Sequence, residues 1–351
     1  MTSTHPLRIR VLAGLTCSLL LAIAPAAKPS EAQQPAASAT SGKPDQVLLA
    51  LDWVIRGQHT PFFVALDKEF YAEQNLAVTI SRGYGSGDTV KRIAAKRGTF
   101  GFADSGALIG ARANDDVKVK ALAAIYGEPG ATILYNAKKF GSLKPKNLEG
   151  VTIADGAASA TVRLFPAFAK TNNVDASKVN WMFVEPASLY ALFATGKADA
   201  VGLFLLEVPV LRNLTKDNKD IEIGVMRYAD HGLKFYGHAL VAHEETIRAN
   251  PDLARRFVAA TIKGYDYAFK NIDEAVTIFG KYHRDPGPAE AKGQLQLAKE
   301  LVYSDEAKAH GIGTFDLKKA ARTIDLISEG LGLKRKISAD EYYTTEFLPK
   351  K

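Results

Sequence analysis

The chain of 351 residues contains a single cysteine, Cys17, and only two tryptophans. Cys17 lies within an apolar run near the N-terminus, so the rest of the chain has no disulfide, thiol nucleophile or thiolate metal site. A Gly-x-Ser-x-Gly nucleophile elbow and a His-Glu-x-x-His zinc motif are also absent. His238 and His243 are five residues apart, a spacing that fits no shared face of a strand or helix. The sequence therefore predicts no catalytic residue, no cofactor and no metal.

A dominant block of basic charge is missing as well. The formal net charge is +7, and residues 1–32 contribute Arg8, Arg10 and Lys28 against Glu31. The remaining basic residues are spread along the chain. We therefore expect no nucleic-acid partner and only a weak general attraction for anionic solutes.

Long apolar runs are limited to Val11–Ala24, which is short for a membrane span. Arg8 and Arg10 precede the run, and Ser30-Glu31-Ala32 offers a small-x-small cleavage site. We interpret residues 1–32 as a signal peptide and residues 33–45 as a disordered leader, which predicts a periplasmic protein; a membrane anchor is the alternative. The chain length predicts two lobes, each with its own core.

Short apolar strands then alternate with helical segments, the βαβ pattern of an α/β fold. Two such series follow one another, and after His243 only helical patterns remain. We predict two doubly wound lobes joined by a two-strand hinge, with a helical C-terminal part. Lobe 1 is predicted to contain residues 46–128 and 240–351, and lobe 2 residues 129–239. A cleft between lobes is a natural ligand site.

The stretch from Leu51 to Ala65 links the first strand to the first helix. The strand Val47–Leu51 ends at Asp52 and Trp53, and a helix is predicted from Pro61 to Glu73. Ligands bind at the carboxyl edge of such sheets, so Trp53 could stack on a planar solute and His59 could hydrogen-bond to it. A core tryptophan and a solvent-facing histidine are the alternatives.

Glycine-rich loops and strand-end polar residues supply further candidate ligand contacts. The loop Gly83–Gly87 opens a helix whose free N–H groups could bind an anion, and Asp155–Thr161 is its equivalent in lobe 2. Helix capping explains both loops equally well. Besides Trp53 and His59, the candidate ligand contacts are Tyr84, Gly85, Ser86, Asp104, Ser105, Ser159, Thr161, Glu185 and Glu207.

These motifs resemble, in this order, those of the substrate-binding proteins of ABC importers for sulfonates, taurine, nitrate and thiamine-pyrimidine precursors. The matching residues are Asp52-Trp53 with His59-Thr60, Gly85-Ser86-Gly87, Gly101-Phe102-Ala103-Asp104, Leu143-Lys144-Pro145, Leu148 to Ala154, and Gly196-Lys197-Ala198-Asp199-Ala200. The resemblance covers most of residues 46–245 and implies the periplasmic binding protein fold of type II. It also implies that an aromatic residue of the first loop stacks on the ring of a pyrimidine ligand.

The resemblance implies a monomer that captures a small organic solute and delivers it to an ABC permease in the inner membrane. The solute would be a pyrimidine-type thiamine precursor or an organic sulfonate or similar anion. The pyrimidine branch also includes thiamine-pyrimidine synthases, which consume a histidine in this loop and carry a cysteine-rich motif that this chain lacks. An enzyme of that type, with His59 as reactant, and a ligand-sensing module for a membrane receptor are the alternatives.

Overall fold

Two five-stranded sheets of the same topology organise the computed structural model, which describes residues 42–157 and 159–350. The strands are β1 Asp45–Ala50, β2 Leu76–Ser81, β3 Phe100–Asp104, β4 Val119–Ala124, β5 Ala131–Asn136, β6 Thr152–Asp155, β7 Asn180–Phe183, β8 Ala200–Phe204, β9 Ile223–Arg227 and β10 His238–His243. Their orders are β2-β1-β3-β10-β4 and β7-β6-β8-β5-β9.

Each sheet has four strands that run in one direction and one strand that runs the other way. In the first sheet β1 pairs parallel with β2 and β3, and β10 lies antiparallel between β3 and β4. In the second sheet β6 pairs parallel with β7 and β8, and β5 lies antiparallel between β8 and β9. The chain crosses between the sheets twice, through residues 125–130 and 228–237. The predicted α/β class, with two lobes joined by two crossings, is confirmed.

Helices cover both faces of the sheets. They are α1 Thr60–Asp67, α2 Ser86–Ala94, α3 Ser105–Asp115, α4 Ala137–Phe140, α5 Ala160–Thr171, α6 Leu189–Ala194, α7 Val208–Thr215, α8 Glu244–Ala249, α9 Pro251–Lys270, α10 Ile272–Tyr282, α11 Pro288–Val302, α12 Asp305–His310, α13 Leu317–Leu331 and α14 Ala339–Tyr342. We call the first sheet with its helices lobe 1 and the second sheet with its helices lobe 2. The exact lobe boundaries at 128/129 and 239/240 stay a prediction.

Successive side chains along the strands of the first sheet point to opposite faces, and different helices pack on the two faces. Phe102 and Leu240 pack in the core that contains α1 and α9, whereas Ala103 and Val241 pack in the core with α2 and α3. Two C-terminal helices contact both lobes: α11 packs on residues 57–59 and on α7, and α13 packs on α3 and α5. In the described residues, the structure contains no helix with the length and apolarity needed to cross a membrane.

The structure corrects several predicted boundaries. Helix α1 ends at Asp67 instead of Glu73, because Glu69 adopts a left-handed backbone conformation with φ of 59°. The leader was predicted to reach Asp45, yet that residue begins β1 and its carboxylate pairs with Arg256 at 2.7 Å. Pro61 lies in the first turn of α1 as predicted. The predicted signal peptide, and the leader as far as residue 41, lie outside the described residues.

Candidate functional site

A buried carboxylate bridging two histidines lies at the carboxyl edge of the first sheet. Asp52 follows β1, and its Oδ1 is 2.8 Å from His59 Nε2. Its Oδ2 is 3.0 Å from Nε2 of His238, the first residue of β10. Because β10 runs antiparallel to β3, its first residue reaches the same edge as the end of β1. The structure thus brings His238 into contact with Asp52, which lies 186 positions earlier in the sequence.

Both ring nitrogens of His59 are engaged within the protein. Its Nδ1 accepts the Arg56 backbone N–H at 3.1 Å, which assigns the ring proton to Nε2 and so to the bond with Asp52. The side chain has no exposed surface. His59, a predicted ligand contact, is therefore enclosed in this structure, where its ring orients the Asp52 carboxylate.

The charges of the Asp52 and His238 side chains stabilise one another. Burial raises the pKa of the Asp52 carboxyl, but the nearby imidazoles of His238 and His59 outweigh burial and hold that pKa well below its ordinary range. Burial lowers the pKa of His238, and the Asp52 carboxylate more than reverses this, so the His238 pKa is raised. In the described residues, no group of three histidine, cysteine or acidic side chains has the geometry of a metal site.

The glycine-rich loop is fastened to the same edge of lobe 1. The Gly85 N–H donates to the Asp52 carbonyl at 2.8 Å, and the Gly83 N–H donates to the Trp53 carbonyl at 2.9 Å. Trp53 is half-buried. Tyr84 is 70% exposed, with the Arg82 guanidinium 4.5 Å from its ring centroid. The loop therefore presents an aromatic ring to solvent beside Trp53.

Gly85, and no polar side chain, caps helix α2. Gly85 has φ of 121° and ψ of 147°, and no side chain bonds to the N-terminal N–H groups of α2. Ser86, the first residue of α2 and a predicted ligand contact, accepts the Asp104 backbone N–H on its Oγ at 3.0 Å. The N-terminus of α2 thus keeps unpaired N–H groups near the sheet edge.

Asp104 and Ser105 follow β3 and begin α3. Asp104 Oδ1 accepts the N–H groups of Gly106 and Ala107, while Oδ2 accepts no hydrogen bond from the part of the chain that the structure describes. Burial raises the pKa of Asp104. Ser105 has no exposed surface, and its Oγ accepts the Tyr342 hydroxyl at 2.7 Å. Asp104 therefore retains a free acceptor, whereas Ser105 is enclosed by α14.

In lobe 2 the equivalent loop forms a chain of hydroxyl and carboxyl groups. Thr161 Oγ1 donates to Asp155 Oδ2 and lies 2.8 Å from Ser159 Oγ, which also accepts the Val162 N–H. Burial raises the pKa of Asp155 to about 6. The backbone N–H of Gly156 donates to Asp155 Oδ1 at 2.7 Å. Ser159 thus caps α5, as the alternative interpretation states, and Asp155 ends β6 with both oxygens paired.

Glu207 and Glu185 have opposite environments. Glu207 ends the 3-10 turn after β8, is 5% exposed, and accepts the Tyr190 hydroxyl on Oε2 at 3.0 Å. Burial raises its pKa, and the Tyr190 hydrogen bond and the charge of Arg56 from lobe 1 oppose that rise. Glu185 is exposed and has no side-chain partner in the described residues. Of the two, only Glu207 faces lobe 1.

Side chains of both lobes meet at this edge. The rings of Phe204 from β8 and His238 from β10 lie 5.8 Å apart, centroid to centroid, and nearly perpendicular. The charge of Arg163 in α5 reaches Asp104. The sequence analysis considers His238 only as a possible metal ligand and omits Tyr190 and Arg163 as neighbours of the edge. The position of both residues near the start of a helix is the signal that the sequence offers.

This arrangement defines a class: an α/β protein of two lobes whose strand ends meet at a polar edge, the fold of the periplasmic binding proteins. Two solved structures share the fold. They are the alkanesulfonate-binding protein SsuA from Xanthomonas axonopodis pv. citri bound to MOPS (TM-score 0.65, 15% identity, 86% of this chain and 99% of that chain) and the aliphatic sulphonate binding protein SsuA from Escherichia coli (TM-score 0.66, 12% identity, 86% of this chain and 97% of that chain).

The chain belongs to the NMT1/THI5-like family, whose model matches residues 56–275. Two curated relatives are similar over most of their own length. The riboflavin-binding protein RibY of Chloroflexus aurantiacus is 25% identical over 95% of this chain and 93% of its own length. The formylaminopyrimidine-binding protein of Halalkalibacterium halodurans is 26% identical over 67% of this chain and 69% of its own length.

Proposed function

We propose that the protein is the periplasmic solute-binding component of an ABC importer, which captures a small organic solute between its lobes and delivers it to a permease. The observation that carries the proposal is the meeting of both sets of strand ends at one polar edge, with Phe204 against His238 and Glu207 close to His59. Solute binding favours the closed form of the lobes, and the permease recognises that form through its differential affinity.

The solute is a planar nitrogen heterocycle, such as a pyrimidine-type precursor. Asp104 Oδ2 and Glu207 Oε1 accept no hydrogen bond from the described residues, although both carboxyl groups are buried, so they suit N–H donors of a ligand. Trp53 and Tyr84 offer rings for stacking. Both curated relatives are named for nitrogen heterocycles, which supports the same ligand class.

An organic sulfonate is the second candidate ligand. It is favoured by the N-terminus of α2, where Gly85 provides no side-chain cap and the N–H groups are available to an anion. The hydroxyls of Ser159 and Thr161 already bond to one another and to protein partners, which weakens the lobe 2 half of such a site.

Binding without catalysis is the activity that the geometry of His59 supports. A consumed histidine needs an accessible ring nitrogen, and both nitrogens of His59 are occupied by Asp52 and the Arg56 N–H. Incubation with pyridoxal phosphate and iron, followed by mass spectrometry, is expected to leave His59 intact. Conversion of His59 with release of a pyrimidine product would replace the binding proposal with an enzyme.

A ligand panel tests the proposal directly. Aminopyrimidines, riboflavin, alkanesulfonates, taurine and nitrate are compared by thermal shift, and every hit is titrated by calorimetry. A heterocycle at 100 times its dissociation constant stabilises the protein by about 2.7 kcal/mol. Stabilisation by sulfonates alone would transfer the assignment to the second candidate, and no stabilisation by any compound would contradict both.

A further inference from the structure

A cavity lies beside the two segments that connect the lobes. Its volume is about 590 Å³, within the range of small-molecule sites. Glu128 precedes β5 in the first connection, and Gly232 and Lys234 belong to the second. The rest of the lining comes mainly from the end of α11, from α12 and from the start of α13. This cavity is distinct from the edge where Asp52 and His238 meet.

Basic side chains outnumber acidic ones in the lining of this cavity, six to four. The basic residues are Arg227, Lys234, Lys308, Lys318, Lys319 and Arg322. Such a lining attracts negative charge, and its polar character does not suit an apolar ligand.

Ion pairs within the cavity use three acids and three bases. The charged lining residues outside these pairs are one acid, Glu300, and three bases. The pairs and the distances between their charged atoms are Glu128–Arg227 at 3.0 Å, Lys319–Glu306 at 2.6 Å and Lys308–Asp305 at 3.8 Å.

The three remaining bases are available to a ligand. Among the described residues, Arg322 donates only to the Gly232 carbonyl, at a long 3.3 Å. Lys234 and Lys318 are exposed, and neither side chain has an ion pair or hydrogen bond within residues 42–157 and 159–350. Two ammonium groups therefore face the cavity lining without a partner.

Two buried polar atoms of the lining also lack a partner. Ser304 Oγ and Arg227 Nε are both shielded from solvent, and neither makes a hydrogen bond within the described residues. Buried polar atoms without partners are uncommon in folded proteins, and a bound ion is one explanation for them. A hydroxyl and a guanidinium N–H can both donate to an oxyanion.

We propose that this cavity binds a small multivalent anion, with phosphate or carboxylate oxygens, held by Lys234, Lys318 and Arg322. The Ser304 hydroxyl and the Arg227 Nε–H donate the hydrogen bonds at the inner wall. Lys234 belongs to the second connecting segment, and Arg227 is paired with Glu128 of the first, so a bound anion contacts one segment directly and the other through Arg227. The contacts between the anion and the hinge then depend on the anion concentration around the protein.

Titration calorimetry with pyrophosphate and with citrate tests the site at fixed ionic strength, and the two probes distinguish phosphate from carboxylate sources. We expect saturable 1:1 binding of at least one probe. The double variant Lys234→Gln/Lys318→Gln is expected to weaken that binding at least tenfold. The control Lys91→Gln/Lys197→Gln removes the same charge from exposed positions outside the cavity and is expected to leave affinity unchanged.

A second variant separates specific contacts from general charge. Ser304→Ala keeps every charge and is expected to weaken binding at least threefold. Equal losses in the two lysine pairs, or no saturable heat with either probe, would overturn the proposal. Because the cleft solute plays no part in these titrations, that failure would leave the proposed transport function untouched.

Discussion

At the scale of single residues, the site depends on how buried polar groups are paired. Asp52 uses its two carboxylate oxygens for two imidazoles, and this leaves His59 with no free nitrogen. Trp53, the next residue along, is half-buried and its ring stacks on no other aromatic ring in the described residues. Trp53 is therefore better placed than His59 to contact a solute.

Trp53→Ala is expected to weaken binding of a planar solute at least tenfold, about 1.4 kcal/mol, because the stacking face is lost. Calorimetry with the best compound of the ligand panel measures this change. The only other tryptophan, Trp181, packs on Phe165 in lobe 2 and provides the control. In single-tryptophan variants, ligand quenching should persist in Trp181→Phe and vanish in Trp53→Phe. The opposite pattern would remove Trp53 from the site.

Asp155→Asn is expected to make the protein more stable than the wild type at pH 8 and to lose that advantage near pH 4. Burial raises the pKa of Asp155 to about 6 from 3.8, so ionising it costs folding free energy that grows as pH rises through this window. The full difference is roughly 3 kcal/mol. Urea unfolding at both pH values measures it, with the exposed Asp217→Asn as control. If the difference in unfolding free energy between variant and wild type does not change with pH, ionising Asp155 does not destabilise the fold.

At the scale of elements, the loop after β2 positions the start of α2. Gly85 has a backbone conformation that side-chain-bearing residues rarely adopt, with φ of 121°. Its N–H bonds to the carbonyl of Asp52, so the conformation of one residue connects β1 to α2.

Gly85→Ala is expected to lower the free energy of unfolding by about 1–3 kcal/mol through backbone strain, since a Cβ at this position meets no atom within 4 Å. Gly87→Ala is the matched control, two residues further on and inside α2. There alanine is expected to stabilise by up to about 1 kcal/mol. Chemical denaturation of both variants checks the opposite signs, and equal effects would contradict the strain argument.

Sequence patterns predicted most elements because the apolar periods of β1, β3 and the C-terminal helices are regular. The helix after Pro61 was predicted too long, because its apolar spacing continues past the left-handed turn at Glu69. The partnership of Asp52 with His238 was out of reach, because it depends on β10 returning beside β3. Sequence spacing carries no information about which distant strand supplies a partner.

At the scale of the whole molecule, the two lobes share helices as well as connecting strands. Helix α11 contacts residues 57–59 of lobe 1 and the turn Leu205–Glu207 of lobe 2, and Leu295 on this helix is fully buried. Burial of one helix against both lobes couples their unfolding.

Leu295→Ala is expected to lower the stability of both lobes together, by about 2–5 kcal/mol, because it opens a cavity in a shared core. Trp53 reports on lobe 1 and Trp181 on lobe 2, so the single-tryptophan variants follow each lobe separately during urea unfolding. Coincident midpoints before and after the substitution are expected. Separate midpoints for the two fluorophores would show that the lobes unfold independently.

The position of β10 has a consequence for how the chain matures. This strand lies between β3 and β4, although the entire second sheet is synthesised before it. The first sheet therefore stays incomplete until about two thirds of the polypeptide has been made, and its closing step joins segments more than a hundred residues apart. Such late completion leaves the first sheet open while most of the chain is made, which is compatible with the export that we propose.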